Sequence, residues 1–409
     1  MKVLARHAAG KALQNDNLEI ANRAKEAKKI DSAVINATSG MFFHEGNVFR
    51  GFRTVEKILN ELPDEDFYAY SPSDGGARFR EAVLNWVFGF YREEIEHGNA
   101  VRVVATPGGT GAIHASVFLG LDRGEKLIFP DLCWAPYYGM AANLGLNTAT
   151  FGFFSGEGFN FKGLQATAEK VASEQGKLAL IINDPCNNPT GYALSEAELR
   201  EIVTFLNTLI QPVLLIYDIA YLDFADNNAR RCFKILSGLN ENILTAVAFS
   251  ASKTFSVYGQ RLGALIIMGR SEKAVSEFYD AAKFTARHTW SNANRGLINL
   301  LITLDEDSFL KRDFLSELNG VKEIIGKRAK IFMEEAEKAK LLVHPYRSGF
   351  FVTLPVRDVH GALKALAEEE KIYLLPVSGS VRLALSAISE AETRGLAARL
   401  KKALTPFQL

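Results

Sequence analysis

The sequence predicts an α/β protein, with a large domain built on a mainly parallel, seven-stranded sheet flanked by helices and a smaller α+β domain beside it. Three observations predict it. Seven short runs rich in Val, Ile, Leu and Phe recur between residues 100 and 270, helical segments separate most of them, and most of the runs are continuously apolar rather than alternating. Strands without a polar side are covered on both faces, as in parallel sheets sandwiched by helices. The chain of 409 residues is too long for one compact core. Two domains are therefore expected, a large one over 49–315 and a small one formed by 1–48 with 316–409.

Residues 18–29 read as a charged helix and 33–37 as a short strand, followed by the turn Thr38-Ser39-Gly40. A glycine there is a plain turn residue or a place where backbone approaches a ligand. The stretch from Tyr68 to Gly76 is turn-rich, and Tyr70 taken alone reads as a half-buried loop tyrosine. Residues 77–91 have helical spacing, with Phe79, Val83, Trp86, Val87 and Phe90 on the apolar side. The seven strands are placed at 101–104, 127–129, 148–151, 178–182, 213–217, 243–249 and 262–268. Among the intervening helices, 195–209 opens with Ser195 and Glu198 spaced as a capping box. After the last strand come 283–294, then a long amphipathic segment over 305–340. Its Leu310, Phe314, Leu318, Val321, Ile325 and Phe332 recur at helical intervals, as in a helix that bridges domains. Residues 343–409 read as strand, helix, strand and helix, with 333–340 and 364–371 as solvated charged faces.

Composition narrows the function. Hydrophobic content of 48% and charged content of 23% are those of a globular protein. Lys plus Arg and Asp plus Glu are both 47, which leaves no electrostatic footprint for nucleic acid or an anionic membrane. The three cysteines, Cys133, Cys186 and Cys232, form no CxxC pair, and their odd number argues against a disulfide framework. Residues 1–14 hold no continuous apolar segment, so no secretory signal is read. No apolar run approaches the roughly 18 residues of a membrane helix. A cytoplasmic protein without a metal site is expected.

Ligands of such sheets bind beyond the carboxyl ends of the strands, so the residues that follow each strand are the candidates. After the first come Thr106-Pro107-Gly108-Gly109-Thr110-Gly111 and a helix, either a tight turn or a phosphate cradle. His114 stands where a dinucleotide fingerprint needs its third glycine, and the GK[ST] of a P-loop is missing. After the second comes Trp134; after the fourth, the polar turn Asn183 to Gly191. The fifth ends in Asp218, followed by Tyr221; a carboxylate there is a satisfied structural group or a functional one, and either way needs a partner. The sixth leads into Ser250-Ala251-Ser252-Lys253. A lysine between two buried strands is either an ordinary strand-end cation or a committed amine. Desolvation and the cation of Arg261, eight residues on, would both lower its pKa and free it as a nucleophile or Schiff-base former.

Lysine, strand-end aspartate, tyrosine, phosphate-like helix start and arginine, in this order, resemble the fold-type I pyridoxal-phosphate enzymes, specifically the class I aminotransferases of the aspartate aminotransferase superfamily. The motifs that carry the resemblance are Ser250-Ala251-Ser252-Lys253 with Arg261, the turn Asn188-Pro189-Thr190-Gly191, and Asp218-Ile219-Ala220-Tyr221, within a likeness spanning about 30–400. The resemblance implies that Lys253 holds pyridoxal 5'-phosphate as an aldimine and later shuttles the substrate proton. It implies that Asp218 pairs with the pyridinium nitrogen and that Tyr221 and Asn188 meet the phenolic oxygen. Gly109, Thr110, Ser250 and Arg261 would form the phosphate cup, joined by Tyr70 from a partner subunit, and Trp134 would stack on the ring.

Arg382 would clamp the substrate α-carboxylate with Asn188 and the Gly40 amide. Its apolar neighbours argue against an exposed arginine on an edge strand. Arg287, in Arg287-His288-Thr289-Trp290-Ser291-Asn292, is either a surface arginine or the residue that reaches across the dimer to a dicarboxylic substrate. His288 and Trp290 depart from the family form of that segment, which leaves aromatic amino acids open as substrates. The expected activity is ping-pong transfer of the amino group of aspartate, and of aromatic amino acids as a further possibility, to 2-oxoglutarate by a homodimer with shared active sites. A β-lyase of the same fold and an aromatic-amino-acid aminotransferase with little dicarboxylate activity are the alternatives.

Overall fold

The computed structural model describes residues 3–12, 16–226 and 228–408. All seven expected runs are strands of one sheet, in the order Ala100–Thr106, Gly263–Gly269, Ile243–Ser250, Val213–Asp218, Leu178–Asn183, Lys126–Pro130 and Asn147–Phe151. Gly263–Gly269 runs antiparallel to both neighbours and every other pairing is parallel. The reading of residues 1–14 falls partly outside the described residues. No helix among the described residues is long and apolar enough to cross a membrane.

The apolar strands fill two cores by simple alternation. Leu178, Leu180 and Ile182 enter one, while Ala179 and Ile181 enter the other. The same division separates Leu215 and Tyr217 from Leu214 and Ile216. Helices Gly76–Phe88, Phe161–Gln175, Glu196–Leu206 and Arg295–Glu306 cover the first face; Gly108–Gly120, Pro136–Leu144 and Glu272–Thr289 cover the second. Ser195 and Glu198 do form the capping box.

Phe90 corrects the sequence reading. The helix stops at Phe88, Gly89 turns the chain at a φ of 54°, and the 3-10 turn Gly89–Tyr91 throws Phe90 outward, where it is 96% exposed. The stripe of Phe79, Val83, Trp86 and Val87 is buried as expected; the break in helical phase removes its last member. The segment 305–340 is likewise not continuous. Arg295–Glu306 ends first, and Asp307 then caps Ser308–Lys338 by accepting from the amides of Phe309 and Leu310.

That long helix serves two cores. Phe314, Leu318, Val321 and Ile325 join the first sheet core, and Ala329, Phe332 and Ala336 join a third core around a three-stranded antiparallel sheet. The small sheet runs in the order Phe351–Pro355, Ser380–Ala384, Leu375–Val377. Its central strand carries Arg382. The strand expected at 33–37 shortens to Ile35–Asn36, which pairs in parallel with Ile372–Tyr373. The charged runs are not wholly solvated: Ala336, Leu366 and Glu370 are buried, the last beneath Arg399 and Lys402.

Candidate active site

Strand register gathers the candidate residues at one end of the sheet. Asn183 lies opposite Asp218, Asp218 opposite Ala248, and Gly263 opposite both Ser250 and Thr106. The segments after these strands therefore meet in one crevice, as expected for an open α/β sheet.

The lysine is held from behind. Ser250 caps the short helical turn Ala251–Thr254, accepting from the Ser252 amide. Thr254, beside Lys253, donates to Asp223 Oδ2 at 2.7 Å, and the same buried carboxylate takes Trp86 Nε1 at 3.1 Å and pairs with Arg230. Lys253 Nζ lies 5.2 Å from the centroid of the Tyr258 ring and 5.9 Å from that of Tyr221. Burial first, then the charge of Arg261, pull the amine down to about 8; Asp218 opposes the shift and Arg382 adds to it.

Asp218 is buried and carries its negative charge against that burial, which pushes its carboxyl up to about 6. The opposing influences are the Tyr137 hydroxyl, which donates to Oδ2 at 2.6 Å, the Ala220 amide, which donates to Oδ1 at 3.1 Å, and the cation of Lys253. Asn183 Nδ2 donates to the Asp218 carbonyl at 2.9 Å and steadies the main chain. Tyr221 is buried, and desolvation raises its phenol, so it remains a donor.

Donors suited to an anion gather where the first strand meets its helix. Helix Gly108–Gly120 begins at Pro107 with no side-chain cap, so its first amides are free to donate. Arg261 Nη1 donates to Ser252 Oγ at 3.0 Å and to the Tyr258 carbonyl at 2.9 Å. Gly108, at a φ of +76°, is packed so closely that an added Cβ would stand 2.4 Å from Arg261 Nη2. A Cβ on Gly109 would come within 3.1 Å of Ser250 Cβ. Thr110, in the first turn of the helix, is exposed.

Arg382 approaches from the small sheet. Its Nη1 donates to Asn188 Oδ1 at 3.0 Å and its Nη2 to the Thr38 carbonyl at 2.9 Å. The guanidinium stands 4.2 Å over the Phe351 ring, and a Cβ on Gly40 would touch Phe351 at 3.6 Å. Burial lowers the pKa of Arg382 to about 10, yet the group stays a cation at neutral pH. Its Nε–H is buried without a partner, a donor left over for an arriving acceptor. Trp134, half-buried, meets Tyr137 edge to face at 5.6 Å.

Two sequence-predicted residues do not join the constellation within this chain. Tyr70 is 85% exposed rather than half-buried, and its carbonyl accepts from Arg295. Arg287 is exposed at the end of helix Glu272–Thr289, donating to Ser291 Oγ at 2.8 Å. Conversely, Tyr137, Tyr258 and the Thr38 carbonyl belong to the neighbourhood and escaped the sequence reading. Tyr137 lies on a helix with no motif around it, and a backbone carbonyl leaves no sequence signal.

The donor set fits pyridoxal 5'-phosphate in kind. Unpartnered helix amides with Arg261 suit a phosphate, a lysine with a lowered pKa suits an aldehyde, and a buried carboxylate lacking a full set of donors suits a basic ring nitrogen.

Comparison with known proteins agrees with this geometry. The family model for aminotransferase class I and II matches residues 41–400. A tyrosine aminotransferase of Rhizobium meliloti is 28% identical over 85% of this chain and 87% of its own length. An aromatic-amino-acid aminotransferase of Escherichia coli is 25% identical over 80% of each chain, and a mitochondrial aspartate aminotransferase of Arabidopsis thaliana is 25% identical over 69% of this chain and 66% of its own. The crystal structure of an aminotransferase from Anaerococcus prevotii superposes with a TM-score of 0.95 at 32% identity, covering 99% of this chain and 100% of that one. A lysine boxed at a strand end, an acid at the next strand and a match across nearly the whole length lead to one assignment: the chain belongs to the class I and II aminotransferases, within the fold-type I pyridoxal-phosphate superfamily.

Proposed function

We propose that this aminotransferase moves the amino group of aspartate and of aromatic amino acids to 2-oxoglutarate by a ping-pong mechanism, as a cytoplasmic homodimer. The observation that carries the amino-acid reading is Arg382, whose buried Nε–H lacks an acceptor while the guanidinium is aimed by Asn188 and Thr38. A substrate carboxylate supplies that acceptor and is oriented by it.

When bound, pyridoxal phosphate supplies the electron sink for the pair left by the departing α-proton. This chain's residues do the rest. Gly109, Thr110, Ser250 and Arg261 hold the phosphate, with Tyr70 added from the partner subunit. Lys253 would be the anchoring amine for the cofactor aldehyde and the base that carries the proton from the substrate α-carbon. Its depression to about 8 keeps a useful neutral fraction near neutral pH. Asp218 would hold a proton at the ring nitrogen, Tyr221 and Asn188 would serve the phenolic oxygen, and Trp134 would stack on the ring.

For the substrate side chain, Arg287 of the partner subunit serves dicarboxylates. Its exposure, with a single side-chain hydrogen bond to Ser291 Oγ within one chain, supports a residue able to reach across an interface. A second reading, an aromatic-amino-acid enzyme with little dicarboxylate activity, is favoured by Trp290, which stands in the same segment with an unpartnered Nε1. It also draws on relatives named tyrosine and aromatic-amino-acid aminotransferases. Initial rates with aspartate, phenylalanine and tyrosine against 2-oxoglutarate separate the two. Comparable kcat/KM for aspartate and phenylalanine supports the first; an aspartate rate lower by about a hundredfold, a difference of about 2.7 kcal/mol in transition-state binding, selects the second. Release of ammonia and a 2-oxo acid without any acceptor would overturn both in favour of a β-lyase.

A further inference from the structure

The Tyr137 hydroxyl is the only side-chain donor that the described residues place on the Asp218 carboxylate. It meets Oδ2 at 2.6 Å, and Oδ1 is met by the Ala220 amide at 3.1 Å. A carboxylate has about four lone-pair sites, so two remain for a ligand. Tyr137 is 1% exposed, and burial together with the neighbouring Asp218 charge raises its phenol far above the ordinary value. It therefore remains a donor throughout the working pH range. The ring is clamped as well: Phe129 packs at 5.8 Å, and Trp134 stands almost perpendicular to it at 5.6 Å. One side chain thus touches both the acid and the aromatic residue assigned to the cofactor ring.

We propose that Tyr137 is a positioning residue for Asp218, its hydroxyl fixing the rotation of the carboxylate and steadying its charge so that the free lone pairs meet the ring nitrogen of the cofactor. The proposal rests on the role given to Asp218 above. A donor lost from a buried carboxylate costs more than an ordinary hydrogen bond, because the charge is left under-solvated. Tyr137→Phe keeps the ring and its packing while deleting that donor. The acid then turns or takes up a proton, and its hold on the ring nitrogen weakens.

The test compares two ligands on the apo protein, pyridoxal 5'-phosphate and its 1-deaza analogue, in which C–H replaces the ring nitrogen. Dissociation constants are read by equilibrium dialysis, so turnover is not involved. The wild type should prefer the natural cofactor by about 10- to 100-fold, the worth of one charge-assisted hydrogen bond. Tyr137→Phe should shrink that preference by about tenfold, with affinity for the deaza analogue changed by less than about threefold. Equal losses for both ligands would make Tyr137 a packing residue and overturn the proposal, as would an unchanged preference. A wild type with no preference would overturn the Asp218 role itself, and the Tyr137 proposal with it. Should Tyr137→Phe fail to fold, Tyr137→Phe/Asp218→Asn decides. Folding of the double variant shows that the hydroxyl answers the acid's charge, and failure of both shows that it serves packing.

Discussion

Asp184 and Asp218 stand at the ends of neighbouring strands, close enough that the Asp184 amide donates to the Asp218 carbonyl at 3.1 Å. Their immediate chemistry is nearly the same. Each is 4% exposed, and burial pushes each up to about 6. Each accepts from a buried tyrosine hydroxyl, Tyr217 for Asp184 and Tyr137 for Asp218, and from one backbone amide, Leu194 or Ala220. What differs is the side of the sheet. Tyr217 lies in the first core, and Asp184 feels the carboxylate of Glu198 and the cation of Arg347, which is stacked 4.4 Å over Tyr192 and bonded to its hydroxyl. Asp218 is tied to the second core through Tyr137 and feels Lys253. A perturbed buried acid is therefore not by itself a site. A lysine with a lowered pKa and an arginine with an unspent donor make the difference.

The largest expected effect tests this contrast directly. Asp218→Asn should fold and bind cofactor while transamination falls by about three orders of magnitude, because the ring nitrogen loses its acid. Asp184→Asn should keep kcat within about threefold and instead lower stability by about 1–3 kcal/mol, by giving an amide where Tyr217 and Leu194 both need an acceptor. Single-turnover spectra and urea melts read the two outcomes, and a stable, inactive Asp184→Asn would break the comparison.

The two cations offer the next test. Arg382→Ala should reduce kcat/KM for every amino donor by about a hundredfold, since two charge-assisted bonds to a carboxylate are lost. Arg347→Ala, beside the structural acid, should leave kcat/KM within about threefold. Arg287→Ala should lower kcat/KM by about tenfold for aspartate and little for phenylalanine, consistent with one exposed charge-assisted contact; equal losses would reassign Arg287 to structure.

The smallest effect is on pH. Both carboxyls lie above their ordinary 3.8, at about 6, so between these values the folded protein binds more protons than the unfolded chain. Stability of the apo protein therefore falls as pH rises through that window. Each Asn variant should flatten the slope by its own share, and cofactor should flatten it only where Asp218 is intact. Urea midpoints at about pH 4.5, inside the window, and about pH 6.5, above it, measure this.

Much of the active end could be read along the chain. Lys253, Asp218, Asn188 and Arg261 could be singled out because each ends, follows or precedes an apolar strand, where a polar residue is conspicuous. Tyr137 was not, since a tyrosine on an amphipathic helix looks like any half-buried aromatic until its hydroxyl is seen at Asp218. Phe90 misled for the opposite reason: its spacing fits the helix stripe, and the turn at Gly89 breaks that phase in one residue. Arg382 could be located between apolar neighbours, but its place on the central strand of a three-stranded sheet depends on pairing with Phe351–Pro355 and Leu375–Val377.

Alternation and apolar runs are short-range properties of the chain, so the sequence by itself determined the strands, their polar ends and the kind of chemistry waiting there. Which strand lies beside which, that Gly263–Gly269 runs backwards, and which tyrosine answers which acid were decided only by the tertiary structure. The physical reason is distance along the chain. Asp218 and Tyr137 are 81 residues apart and Arg382 and Asn188 are 194 apart, and contacts of that span exist only once helices and sheets have packed.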